Sequence, residues 1–183
     1  MEKIVSTEPE LIEALRARVP TGSSHLVSVD GASGSGKTTT GAHLAEALQG
    51  RHIDLDSIVS GVHPSYLDRI DSSGLSDALA AGVKEAVPIV VSGICVLSAL
   101  RRVDHIGDTR VYIKRMSGNS GMPSDVDLFD ASSEWFAKLS HDPIEEGRKP
   151  YSYSQDWIDR QVGSYHRAER PLQNAHLVFK RTE

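Results

Sequence analysis

The run Gly31-Ala32-Ser33-Gly34-Ser35-Gly36-Lys37-Thr38 fits G-x-x-x-x-G-K-[ST] at every defined position. These residue types at this spacing suit phosphate binding. Glycines at 31, 34 and 36 let the backbone curl, so that successive N–H groups face one concavity. A helix opening at Lys37 adds free N–H groups, those of Thr38 and Thr39 among them, and the positive end of its dipole. Lys37 would set a mobile positive charge against the β- and γ-phosphates, and Thr38 would place a hydroxyl on a magnesium ion. The competing reading is a glycine-rich turn followed by a chance lysine. A strand before the run and a helix after it favour nucleoside triphosphate binding. Ser33 and Ser35 do not read as hydrolase nucleophiles, because the run lacks G-x-S-x-G spacing.

The second informative stretch is His52-Ile53-Asp54-Leu55-Asp56-Ser57. It closes the strand that follows the phosphate-loop helix. In a parallel sheet this puts Asp54 or Asp56 at the carboxyl edge, where ligands bind. A carboxylate there can accept the proton of an attacking hydroxyl or hold magnesium through water. Asp56 is preferred as the catalytic group, and Thr38, Asp54 and Asp56 form the candidate metal set. Two solvated aspartates at a strand end are the bland alternative.

Positioning these groups requires an α/β frame. Helical spacing predicts helices over 8–19, 37–49, 75–86 and about 155–170. Apolar runs predict strands over 25–30, 51–55, 88–94, 109–114 and 176–180. The run at 88–94 hardly alternates, as befits a parallel strand covered on both faces. Strands alternating with helices imply crossover units and a mainly parallel five-stranded sheet with helices on both faces. The expected organisation is one domain over residues 1–183, with a lid or insertion near 117–150 that begins in the glycine- and serine-rich Ser117–Asp125.

Taken in order, VSVDGASGSGKTT, HIDLDS, PIVVSGICVL, TRVYIK and ERPLQNAHLVF resemble the uridine kinase-like branch of the phosphate-loop kinases, from about Leu26 to Phe179. Only the first motif is specific; the others persuade by order and spacing. The resemblance implies a phosphate-loop NTPase fold, ATP with magnesium, a mobile lid, and phosphoryl transfer to a hydroxyl of a nucleoside or other small metabolite. It makes Asp56 the base. Three positions depart from the family pattern. Ser92-Gly93 stands where Glu-Gly is usual, His176 where aspartate is usual, and Lys114-Arg115-Met116-Ser117 is all that remains of an arginine-rich lid entry. Arg115 is then the candidate phosphate contact, with a solvent-facing arginine at a strand end as the alternative; Arg148 and Lys149 are further candidates. These departures leave three readings: a kinase for an unusual acceptor, a slow hydrolase, or a nucleotide-binding regulatory module.

Other features read blandly. Eight scattered histidines show no zinc-site spacing. Trp135 and Phe136 fit an amphipathic helix over 124–139 whose main role is packing, with the wall of an acceptor pocket as the alternative, and Tyr151, Tyr153 and Trp157 share both readings. Arg160, Arg167 and Arg170 suit a solvated helix face. No N-K-x-D motif marks a GTPase, although ATP and GTP are not otherwise distinguished.

Composition excludes other classes. A chain of 183 residues with 39% hydrophobic and 25% charged residues is globular rather than disordered. Its net charge of −5 argues against a nucleic-acid binder. The longest apolar stretch, Pro88 to Leu100, is too short for a membrane span. The N-terminal residues lack a secretory pattern, and the lone Cys95 suits a reducing compartment, so a cytoplasmic location is expected. The expected partners are a nucleoside triphosphate and a small-molecule acceptor, with neither nucleic acid nor membrane; oligomeric state is left open.

Overall fold

A computed structural model describes residues 3–60, 63, 65–118 and 155–182. Six parallel strands form one sheet: β1 (Lys3–Val5), β2 (Leu26–Gly31), β3 (Arg51–Asp54), β4 (Ile89–Ser92), β5 (Thr109–Met116) and β6 (Leu177–Thr182), in the spatial order β1-β6-β5-β2-β4-β3. The helices are α1 (Glu8–Arg16), α2 (Lys37–Ala47), α3 (Tyr66–Arg69), α4 (Ser72–Glu85), α5 (Val96–Arg102) and α6 (Gln155–Glu169), and a 3-10 turn covers Leu55–Ile58.

Every residue of β2 is buried, because the strand lies at the centre of the sheet with helices on both faces. Its alternation feeds two cores. Val27 and Val29 join Leu11, Leu15 and Leu44 under α1 and α2. Leu26 joins Leu75, Leu79, Leu100 and Val162 under α4, α5 and α6. Two polar side chains of β2, Ser28 and Asp30, are buried as well.

The sheet has one strand more than the five expected. β1 is three residues long, pairs only with β6 and leaves Ile4 55% exposed, so it carries no alternation to detect. α5 was also unforeseen. Its residues continue the apolar run of β4, and the break between them is a turn at Gly93 with Cys95 in the left-handed region at φ +57°. Other boundaries move for local reasons. α4 starts three residues early, where the Asp71 carboxylate caps the Gly74 N–H at 3.0 Å. β5 and β6 each run two residues past their expected ends, which places Arg115 and Arg181 in strands. The lid and most of the 117–150 segment, the helix over 124–139, Arg148, Lys149, Tyr151 and Tyr153 lie outside the described residues, as do the side chains of Trp157 and Arg160.

Candidate active site

β2 ends in the phosphate loop, and α2 leaves it. Gly31 cannot carry a side chain: a Cβ there would stand 2.6 Å from the Ile113 carbonyl oxygen and 2.7 Å from Ser35 Oγ. Gly34 and Gly36 turn through the left-handed region, at φ +74° and +87°. Within the loop the Ser35 N–H donates to the Ala32 carbonyl at 3.2 Å, and the Thr40 N–H starts the helix on Gly36 at 3.0 Å. Among the described residues, no hydrogen bond occupies the N–H groups of Gly34, Gly36, Thr38 or Thr39. Ser35 Oγ is buried without a hydrogen-bond partner. Buried polar groups are normally satisfied, so an orphaned hydroxyl beside open amides marks a place for a polar ligand. Lys37 is buried, and its Nζ donates to the Ala32 carbonyl at 2.6 Å. Thr38 and Thr39 are exposed, Ser33 half-buried, and Gly31 and Ala32 buried.

On one side of β2 lies the acidic edge. Asp54 pairs in register with Ser92, and its carboxylate caps the 3-10 turn by accepting the Asp56 N–H at 3.2 Å. Asp56 is exposed, and its Oδ1 accepts the Tyr66 hydroxyl at 2.6 Å. Tyr66 is itself held by its N–H, which donates to Gln161 Oε1 of α6 at 2.6 Å. Burial and then the Asp56 bond push the Tyr66 phenol well above its ordinary range, so it stays a donor. Ser92 does not face the cleft. It is fully buried and its Oγ lies 2.8 Å from His52 Nε2, under Gly41 of α2. A Cβ on Gly41 would meet His52 Nε2 at 2.8 Å and Ser92 Cβ at 2.9 Å, so α2 rests directly on this pair. Burial outweighs the nearby Asp54 charge and lowers the His52 pKa, which keeps the ring neutral. The carboxylates of this edge are therefore Asp54 and Asp56.

On the other side lies a basic edge. Arg115 of β5 and Arg181 of β6 are register partners. Arg115 Nη1 lies 3.5 Å from where a Gly34 Cβ would be, and the Arg181 guanidinium fills the place of a Gly36 Cβ and donates to the Ser35 carbonyl at 3.3 Å. Arg167 and Arg170 are exposed on and after α6.

Beneath the loop sits a group the motifs did not indicate. Asp30 accepts the Gly31 N–H on Oδ1 at 2.7 Å and the Tyr165 hydroxyl on Oδ2, and Tyr165 also accepts the Leu97 N–H at 3.3 Å. Burial raises the Asp30 pKa from 3.8 to about 6, against the lowering effect of Tyr165 and Gly31. Neighbouring His166, in edge contact with Tyr112 and Tyr165, is held neutral, its pKa pushed down by burial to about 4. One cue was visible: a carboxylate ends an apolar strand directly before the loop. The folded pKa of Asp30 lies above its unfolded value, so its own contribution to stability is fully present below about pH 4 and is lost as pH rises through about 6, by roughly 3 kcal/mol. Tyr165→Phe leaves burial less opposed. Denaturant titrations should show a loss of about 1–3 kcal/mol at neutral pH and a steeper decline between about pH 4 and 7. An unchanged pH profile would exclude Asp30 as its source.

No protein-family model and no curated protein matches the chain. Among solved structures, a candidate uridine kinase from Bacillus stearothermophilus superposes with a TM-score of 0.57 at 14% identity, over 94% of this chain and 97% of that one. The fold is that of the phosphate-loop kinases. A candidate fructose transport system kinase from Silicibacter sp. TM1040 aligns with a TM-score of 0.48 at 18% identity, over 98% of this chain and 100% of that one. In open parallel α/β sheets ligands bind outside the carboxyl ends of the strands, and there the acidic and basic edges described above flank the loop. Among the described residues no helix is long and apolar enough to cross a membrane.

Proposed function

We propose that this chain transfers the terminal phosphoryl group of ATP, bound with magnesium, to a hydroxyl of a small nucleoside- or sugar-like metabolite. The observation that carries this reading is the open amide cradle sharing one sheet edge with Asp54 and Asp56. One strand, β4, separates β2 from β3. At ~4.8 Å per strand the two ends stand about 10 Å apart, which leaves room for a phosphoryl group and an acceptor between them.

In this reading Gly31–Thr39 hold the phosphates and Lys37 neutralises charge on the bridging and transferred oxygens. Thr38, Asp54 and Asp56 are hard oxygen donors, and a magnesium ion needs one or two such groups besides phosphate and water. The metal, when bound, would screen phosphate charge. Asp56 orients the acceptor hydroxyl and takes its proton on the oxygen that Tyr66 leaves open. Transfer of this kind is chiefly positioning and electrostatic stabilisation. The test is magnesium-ATP turnover across a panel of nucleosides, sugars and other small alcohols. Acceptor-stimulated ADP release supports the reading, and ATP binding without any such release defeats it.

The buried Ser92–His52 pair favours a second reading, a nucleotide-binding regulatory module. It occupies the position where the resembling family carries a glutamate, and it supplies no charge to a metal. The same panel separates the two. Tyr66 is a positioning residue in the first reading. Tyr66→Phe should lower kcat about tenfold, the worth of one hydrogen bond to a charged group, with little change in KM for ATP. Equal kcat in the variant would show that Asp56 needs no support from the phenol.

A further inference from the structure

We propose that Arg181 holds the nucleotide end distal to the acceptor, contacting the α-phosphate beside Arg115. This rests on the kinase reading above and assigns the half of the cleft that the motifs leave unassigned. Three observations carry it. First, Arg115 and Arg181 are register partners on β5 and β6, across β2 from β3, which bears Asp54, and the 3-10 turn after it, which bears Asp56. Second, the Arg181 guanidinium lies flush with the loop: a Gly36 Cβ would stand 1.4 Å from Nη1 and 2.7 Å from Cζ. Third, Arg181 is exposed, and among the described residues its one bond is the 3.3 Å contact with the neutral Ser35 carbonyl; no carboxylate pairs with it. A guanidinium carries five N–H donors, so most remain available to an anion.

Directionality selects the phosphate. The transferred phosphoryl group must face the acceptor, in line with the leaving oxygen. The acceptor carboxylates lie toward β3, so the leaving diphosphate points toward β5 and β6. The loop amides and Lys37 take the β- and γ-phosphates, which leaves the α-phosphate nearest the two arginines. A contact with that end is the same in ATP and in ADP. It therefore contributes uniform binding, which changes KM and leaves kcat alone.

The test is titration calorimetry of the full chain with magnesium-ATP and magnesium-ADP, together with turnover at saturating ATP and melting of the ligand-free protein. Arg181→Ala should weaken both nucleotides by a similar factor of about 10–100, the range for hydrogen bonds to a charged group. Saturated kcat should stay within about threefold, and the ligand-free melting point should not change. Arg181→Lys keeps the charge but loses the planar fork, so its affinities should fall between wild type and the alanine variant. Unchanged or tighter binding in Arg181→Ala overturns the proposal, the latter by showing a side chain that must leave before nucleotide enters. A fall in kcat with unaltered ADP affinity overturns it as well, as does a lower melting point that accounts for the weaker binding. If the wild-type chain itself gives no heat with ATP, the kinase reading falls too. Wild-type binding with an indifferent Arg181→Ala removes this proposal alone.

Discussion

Lys37→Met is expected to reduce phosphoryl transfer by about three orders of magnitude, ~4 kcal/mol of transition-state stabilisation, while the fold survives. Methionine keeps the length of the buried stem at the start of α2 and removes only the ammonium. That ammonium rests on the Ala32 carbonyl at 2.6 Å, inside the loop itself, and its loss should cost only about 1 kcal/mol of stability. In the proposed transfer its larger role is charge. Negative charge shifts onto the bridging oxygen during transfer, and a fixed cation in a half-enclosed cradle meets it without reorganisation. The measurement is single-turnover transfer from ATP to the best acceptor, alongside a melting curve. Near-normal transfer in the methionine variant would mean that the loop binds nucleotide for some other purpose.

Asp56→Asn should lower kcat by about 10²–10⁴-fold and leave ATP affinity within about threefold. The amide keeps the shape and can still accept the Tyr66 hydroxyl, so the 3-10 turn that carries it should hold. What it loses is the ability to take a proton from the acceptor. Asp54→Asn provides the contrast. Asp54 sits two residues earlier, at the end of β3, capping the Asp56 N–H, and its proposed work is on the metal. The expected result is a raised magnesium requirement, with kcat recovering as the metal is increased. If both variants behave alike, the acid/base role does not belong to Asp56 in particular. If Asp56→Asn keeps full turnover, the acceptor hydroxyl attacks without a base, and the carboxylate serves only the local turn.

Much of the frame could be read from residue order. A strand, a glycine-rich turn and a helix are local objects, and their backbone chemistry needs no distant partner. The continuous apolar run at Ile89–Ser92 likewise announced a strand covered on both faces, and all four of its residues are buried. The start of α1 was legible from helical spacing alone, and the structure adds its cap at Thr7 and Glu10, whose side chains cap each other's backbone. Where two elements shared one largely apolar stretch, as β4 and α5 do, hydrophobicity could not separate them. There the divide is a backbone turn at Gly93, with Cys95 at φ +57°, and the glycine alone did not announce a helix beyond it.

The sequence by itself determined the glycine-rich turn between strand and helix, the parallel α/β frame and a pair of carboxylates at a strand end, because each depends on residues adjacent in the chain. The tertiary structure alone decided which side chains meet those groups. Arg181 reaches Ser35 across 146 positions, Tyr165 reaches Asp30 across 135, and Ser92 turns its hydroxyl to His52 across 40. Such meetings follow from strand order and register, and from how closely α2 and α6 settle on the sheet. These are set by the packing of the whole core, and no local run of residues encodes them.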